Sequence, residues 1–235
     1  MVHFLCTVPT ESLRLLVFDL DGTLVDSCTD LCNSINGMLR HFDRHPLPDR
    51  VIASYIGDGV SMLVRRALGD PDDVVFLGQA VDFFLEYYRE HKLDNTYAYP
   101  GVLESLEALK TAPDGTPRAM AVLTNKPVGP AQAICEALGL SPYFFRIYGG
   151  NSFSTKKPDA AGLIALMRET RVSPEQTLMV GDSNVDVLTA RNADAWVLGC
   201  KFGLSPHTLE IDPPDCLVDT AFDWIQALET VKSTK

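Results

Sequence analysis

The stretch "LLVFDLDGTLVDS", residues 15–27, begins as a buried strand and ends as something else. Leu15 to Phe18 is an unbroken apolar run. It is followed by Asp19 and Asp21, one leucine apart, and then by Gly22 and Thr23. Residues two apart on a strand share a face. Two like charges side by side at the end of an apolar run repel each other and resist desolvation. A chain that places them there needs something to offset them, and the rest of the sequence supplies candidates.

Further apolar runs follow the first: "RAMAVL" (118–123), "FRIY" (145–148), "TLMV" (177–180), "AWVLGC" (195–200) and a weaker "CLV" (216–218). Helical patterns such as "GPAQAICEALGL" and "DAAGLIALMRET" lie between them. This alternation predicts an α/β fold, a Rossmann-like, doubly wound parallel sheet. It is interrupted from 27 to 97, where only helical periodicity is found: Leu31, Ile35, Met38 and Phe42; Val60, Leu63, Val64 and Ala67; Leu77, Val81, Phe84 and Tyr88. "RHPLPDR" and "LGDPDD" supply the turns. The expected organisation is an α/β core of residues 1–26 and 98–235 with an inserted all-α helical bundle, a cap, over 27–97. Pro100 and Gly101 mark the return to the sheet.

Ligands bind outside the carboxyl ends of the strands in an open parallel sheet. The residues after each run are therefore the candidate site. They are Asp19-x-Asp21-Gly22-Thr23, then Thr124-Asn125-Lys126-Pro127, then "NSFSTKKPDA" after Gly149 and Gly150, then Gly181-Asp182-Ser183-Asn184-Val185-Asp186. Each has a plainer explanation on its own, as a turn, a helix cap or a solvated loop. Their order, each at a strand end, makes coincidence improbable. Clustered carboxylates raise each other's proton affinity unless a cation neutralises them. Hard oxygen ligands suit Mg²⁺. A carboxylate beside that ion can attack phosphorus, while a lysine, a hydroxyl and an amide hold the other oxygens.

Composition narrows the partners. The chain has 235 residues, 46% hydrophobic and 22% charged, with a net charge of −11. That balance speaks against nucleic acid and requires the site to supply its own cations for an anionic substrate. No window approaches the about 18 apolar residues of a membrane span, and the N-terminus lacks a basic region before its short apolar stretch. The six cysteines form neither a Cys-x-x-Cys nor a zinc pattern, so a reducing, cytoplasmic setting is expected. Monomer and homodimer both remain open.

"DLDGT", "TNK", "KP" and "GDSNVD" resemble, in order, the four motifs of the haloacid dehalogenase superfamily of phosphotransferases, and the helical insert resembles its α-helical cap. Within the superfamily, "YIGDGVSMLVRRALG", "YPGV" and "VLTNKP" are most similar to bacterial phosphoglycolate phosphatases. The resemblance implies Mg²⁺-dependent hydrolysis of a small phosphate ester, 2-phosphoglycolate first, through an aspartyl-phosphate. A sugar phosphate or nucleotide, a mutase reaction, or a phosphorylatable signalling module are the alternatives. It implies Asp19 as nucleophile and Asp21 as general acid and base. It also implies metal held by Asp19, the Asp21 carbonyl and Asp182, with Asp186 behind them. Thr124 and the backbone of Asn125 would hold phosphate, and Lys157 would be the motif lysine, with Lys156 a bystander. The chain departs from the usual Lys-Pro-x-Pro at Ala160, which is expected to loosen the next helix. In the cap, Gly57, Asp58 and Gly59 form the loop expected to face the site, and Arg66 is the candidate partner for a substrate carboxylate.

Overall fold

The computed structural model describes residues 1–229, so the last six residues of the expected core segment lie outside the described residues. Its strands are β1 (Val2–Phe4), β2 (Leu15–Phe18), β3 (Val25–Asp26), β4 (Tyr97–Ala98), β5 (Ala119–Leu123), β6 (Arg146–Tyr148), β7 (Thr177–Gly181), β8 (Trp196–Cys200) and β9 (Cys216–Val218). Its helices are α1 (Cys28–His41), α2 (Asp49–Ala53), α3 (Val60–Ala67), α4 (Val74–His91), α5 (Val102–Leu109), α6 (Val128–Ala137), α7 (Ala161–Thr170), α8 (Asn184–Arg191) and α9 (Asp223–Glu229).

Seven strands form one sheet in the order β1-β9-β8-β7-β2-β5-β6. All are parallel except β1, which pairs antiparallel with β9. The doubly wound sheet is as the sequence predicts. The antiparallel edge strand is an addition: three residues at the N-terminus carry no periodic signal, and their pairing with Cys216–Val218 is entirely non-local.

The opening stretch places β2 at the centre. From β2 the chain goes to β5 and β6 on one side, and later to β7, β8 and β9 on the other. The reversal opens a crevice at the carboxyl end of β2. All four β2 side chains are inaccessible to solvent. Leu16 and Phe18 join one apolar layer with α5, α6 and α9 residues, while Leu15 and Val17 join the other with α7 and α8. Each such burial contributes about 1.5–3 kcal/mol, enough to hold a strand whose next residue is a buried charge.

Helices α1 to α4 enclose a separate apolar cluster that includes Leu31, Ile35, Met38, Leu63, Phe84 and Tyr88. The chain leaves and returns through a two-stranded ribbon in which Val25 pairs with Ala98 and Asp26 with Tyr97. Buried Asp30 locks that junction. Its carboxylate accepts from the Asn95 and Thr96 backbone N–H groups, the Asn95 amide and the Thr96 hydroxyl, at 2.7–3.0 Å. Sequence periodicity gives the helices but not this ribbon, because two residues per strand are too few to show alternation. Among the described residues no helix is long and apolar enough to cross a membrane, and all six cysteines are free thiols.

Candidate active site

Asp19 follows β2 directly, and its N–H donates to the Val180 carbonyl of β7 at 2.9 Å. Its side chain is fixed twice: Oδ1 accepts from the Leu20 N–H at 2.7 Å, and Oδ2 lies 2.9 Å from Lys157 Nζ. Burial pushes the Asp19 carboxyl up to about 6, with Asp186 and Asp21 adding to the rise and Lys157 opposing it.

Asp182 follows β7. Its Oδ2 accepts the Leu204 and Ser205 N–H groups at 2.7 and 2.9 Å. Among the described residues it has no lysine or arginine in ion-pair range. Burial, then Asp186 and Asp19, push its carboxyl up to about 8. Gly22 is what lets the first motif come this close: it sits at φ +85°, and a Cβ there would lie 2.3 Å from Asp182 Oδ2.

Asp186 sits in the first turn of α8, where it completes a capping box with Ser183. Its Oδ1 also accepts from Lys157 Nζ at 2.6 Å. The plain cap and the site residue are thus the same side chain. Carboxylate oxygens of Asp19, Asp182 and Asp186 lie within 4.8 Å of one another, and this buried trio could hold a metal ion. An all-oxygen donor set with excess negative charge fits a hard divalent cation. Burial opposes the charge on Lys157, but Asp186 and Asp19 outweigh it and raise its pKa.

The loop after β5 adds the opposite wall. Thr124 is buried, and its hydroxyl accepts from the Lys126 N–H at 3.2 Å. The Asn125 side chain bridges two segments: Nδ2 donates to the carbonyls of Lys157 and of Gly57 in the helical insert, both at 3.0 Å. Lys126, for which sequence reasoning assigned no role, bonds both Asp21 oxygens at 2.9 Å and lies 4.7 Å over the Tyr88 ring of α4. Its pKa is raised, because Asp21 outweighs the cost of burial. The available signal was its position, a lysine at a strand end opposite paired aspartates. Asp21 also accepts from the Ser27 hydroxyl at 2.6 Å.

These groups border a cavity of about 40 Å³, room for roughly three waters. Asp19, Asp21, Thr124, Asn125 and Lys126 line it from the core, and Leu31, Ile56, Gly57, Gly59, Val60 and Leu63 from the helical insert. Several expectations change here. Arg66 does not line the cavity; its guanidinium pairs with Asp58 at 2.6 Å and reaches the Tyr55 carbonyl. Asp58 is drawn outward with it, leaving the two glycines as the loop's contribution. Lys156 is no bystander either, since its ammonium donates to the Asp58 carbonyl. Where the second proline is absent, Asp159 Oδ1 accepts from the N–H of Ala161, the first residue of α7, at 2.8 Å.

A parallel sheet thus gathers acidic residues and buried lysines at its switch point. The family model for haloacid dehalogenase-like hydrolases matches residues 16–200, and the chain belongs to that family. It is therefore an enzyme, as the motif order implied. Phosphoglycolate phosphatase of Chromobacterium violaceum is 37% identical over 197 residues, covering 82% of this chain and 87% of that protein. Phosphoglycolate phosphatase 1 of Pseudomonas aeruginosa is 36% identical over 233 residues, covering 94% and 84%. The crystal structure of a predicted phosphoglycolate phosphatase from Haemophilus somnus superposes with a TM-score of 0.85 at 31% identity, over 93% of this chain and 99% of that one.

Proposed function

We propose that the protein is a Mg²⁺-dependent phosphomonoesterase that hydrolyses 2-phosphoglycolate to glycolate and inorganic phosphate. The observation that carries this reading is the buried cluster of Asp19, Asp182 and Asp186 with Lys157 on Asp19, beside a cavity that Asp19, Asp21 and Thr124 line. The names of the relatives support the same substrate.

In this reading a carboxylate oxygen of Asp19 attacks phosphorus. The bond from phosphorus to the ester oxygen breaks, and Asp21 gives that oxygen a proton. Asp21 then takes a proton from water, whose oxygen attacks the aspartyl-phosphate and releases phosphate and the Asp19 carboxylate. Thr124 donates its hydroxyl to a phosphoryl oxygen, and the Lys157 ammonium offsets the negative charge gathered there. Asp19, the Asp21 carbonyl and Asp182 would hold Mg²⁺, which would supply positive charge to the site, while Asp186 orients Lys157. Residues 27–97 act as a cap that excludes water and chooses the leaving group.

The test is phosphate release from 2-phosphoglycolate, sugar phosphates and nucleotides, with Mg²⁺ and with chelator. The expected result is highest kcat/KM for 2-phosphoglycolate and loss of turnover on chelation. Preference for a nucleotide or hexose phosphate would overturn the substrate, and a single, stoichiometric release of phosphate would favour a signalling module instead.

A further inference from the structure

A carboxylated phosphate ester brings a second negative charge into a cavity already walled by Asp19 and Asp21. Something must receive it. Of the lysines and arginines nearby, three do not border this cavity. Lys157 lies between Asp19 and Asp186, Arg66 is held by Asp58, and Lys156 is held by the Asp58 carbonyl. None of these three lines the cavity. Lys126 does, and it is the lysine or arginine that does so among the described residues.

Its placement specifies what it can read. The ammonium bonds both oxygens of Asp21, the residue that meets the leaving oxygen in the reading above. A group that reaches Lys126 is therefore close to that oxygen, on the carbon next to the ester carbon rather than farther along a chain. The Tyr88 ring holds the ammonium from the cap side at 4.7 Å, where a π-face favours the cation without supplying a competing anion. The remaining cap wall is Leu31, Ile56, Val60 and Leu63 with the loop glycines Gly57 and Gly59, none of which carries a cationic side chain for a carboxylate.

We propose that Lys126 is the specificity-determining residue that binds a substrate carboxylate adjacent to the phosphate ester. This rests on the phosphomonoesterase reading and refines its substrate class to short 2-phosphono-oxy acids. A purely structural Lys126 would serve only to neutralise Asp21, and the two roles differ in one measurable ratio.

That ratio is kcat/KM for 2-phosphoglycolate over kcat/KM for ethyl phosphate, which keeps the skeleton and lacks the carboxylate. The wild-type ratio tests the substrate reading, and its change on mutation tests Lys126. Lys126→Met should lower the ratio by about 10- to 100-fold, mainly through KM for 2-phosphoglycolate. Lys126→Arg, which keeps the charge, should retain part of the preference, and it decides the matter by the same ratio should Lys126→Met fail to fold. Equal losses on both esters would overturn the proposal while leaving a wild-type preference, and hence the substrate, intact. A wild-type ratio near one would instead defeat the substrate reading.

Discussion

The two walls of the cavity are held by different physics. On the core side every charged group is pinned by short, directional contacts: Asp19 by Leu20 and Lys157, Asp182 by two backbone N–H groups, Asp21 by Ser27 and Lys126. On the side of the helical insert the lining is Leu31, Ile56, Val60 and Leu63 with Gly57 and Gly59, and the loop meets the core through Asn125 to Gly57 and Lys156 to Asp58. Apolar contacts are non-directional and tolerate repacking. Buried hydrogen-bonded charges do not, because removing one partner strands the other. The groups proposed to carry the reaction thus sit in the wall held by directional contacts, and the facing wall is the one that tolerates change.

The contrast can be broken most severely at Asp19. Asp19→Asn should reduce phosphate release by at least about 10³-fold without unfolding the chain, since it removes one of several like charges. Near-wild-type turnover would remove Asp19 as nucleophile. Next comes the metal. Asp182→Asn should weaken Mg²⁺ activation by at least about tenfold, read from activity against Mg²⁺ concentration. The same cluster predicts an inverted pH response. The folded chain keeps protons on Asp182 to about pH 8 and on Asp19 to about pH 6, whereas an unfolded aspartate loses its proton near 3.8. The folded state binds more protons in that window, so metal-free stability should fall as pH rises from about 4 to about 8. Thermal unfolding with and without Mg²⁺ checks this, and the ion should flatten the slope.

Paired substitutions separate the walls further. Lys157→Ala should cost about 10²-fold in kcat, whereas Lys156→Ala should raise KM severalfold and leave kcat nearly unchanged, because it loosens only the cap loop. Comparable kcat losses would mean that the loop is part of the reacting centre. Arg66→Ala should be mildest. Its partner Asp58 is about a third exposed, and such pairs contribute little. The loss should stay within about fivefold and be equal for charged and neutral esters. A loss confined to carboxylated esters would return Arg66 to the cavity.

The strand-end chemistry was legible because it is local. Apolar run, then carboxylate, hydroxyl or lysine is a pattern within a few residues, and β2, β5 and β7 place Asp19, Thr124 and Asp182 by parallel register alone. What the sequence hid is relational. Arg66 reads as a free cation until Asp58, eight residues earlier, is seen to fold back onto it. Lys126 reads as a loop residue until the sheet brings Asp21 beside it. The edge pairing of β1 with β9 joins the two ends of the chain, and no window along the sequence contains both partners.

The ribbon beneath the helical insert has a consequence for how such chains diversify. Asp30 clamps the outgoing and returning segments together, and only Val25 with Ala98 and Asp26 with Tyr97 need keep register. Everything between is, topologically, a loop whose ends are already closed, so its length adds only a slowly growing entropic cost. A different bundle spliced at that junction would keep the strand order, and would have to replace the contacts that Tyr88 makes with Lys126 and Gly57 with Asn125.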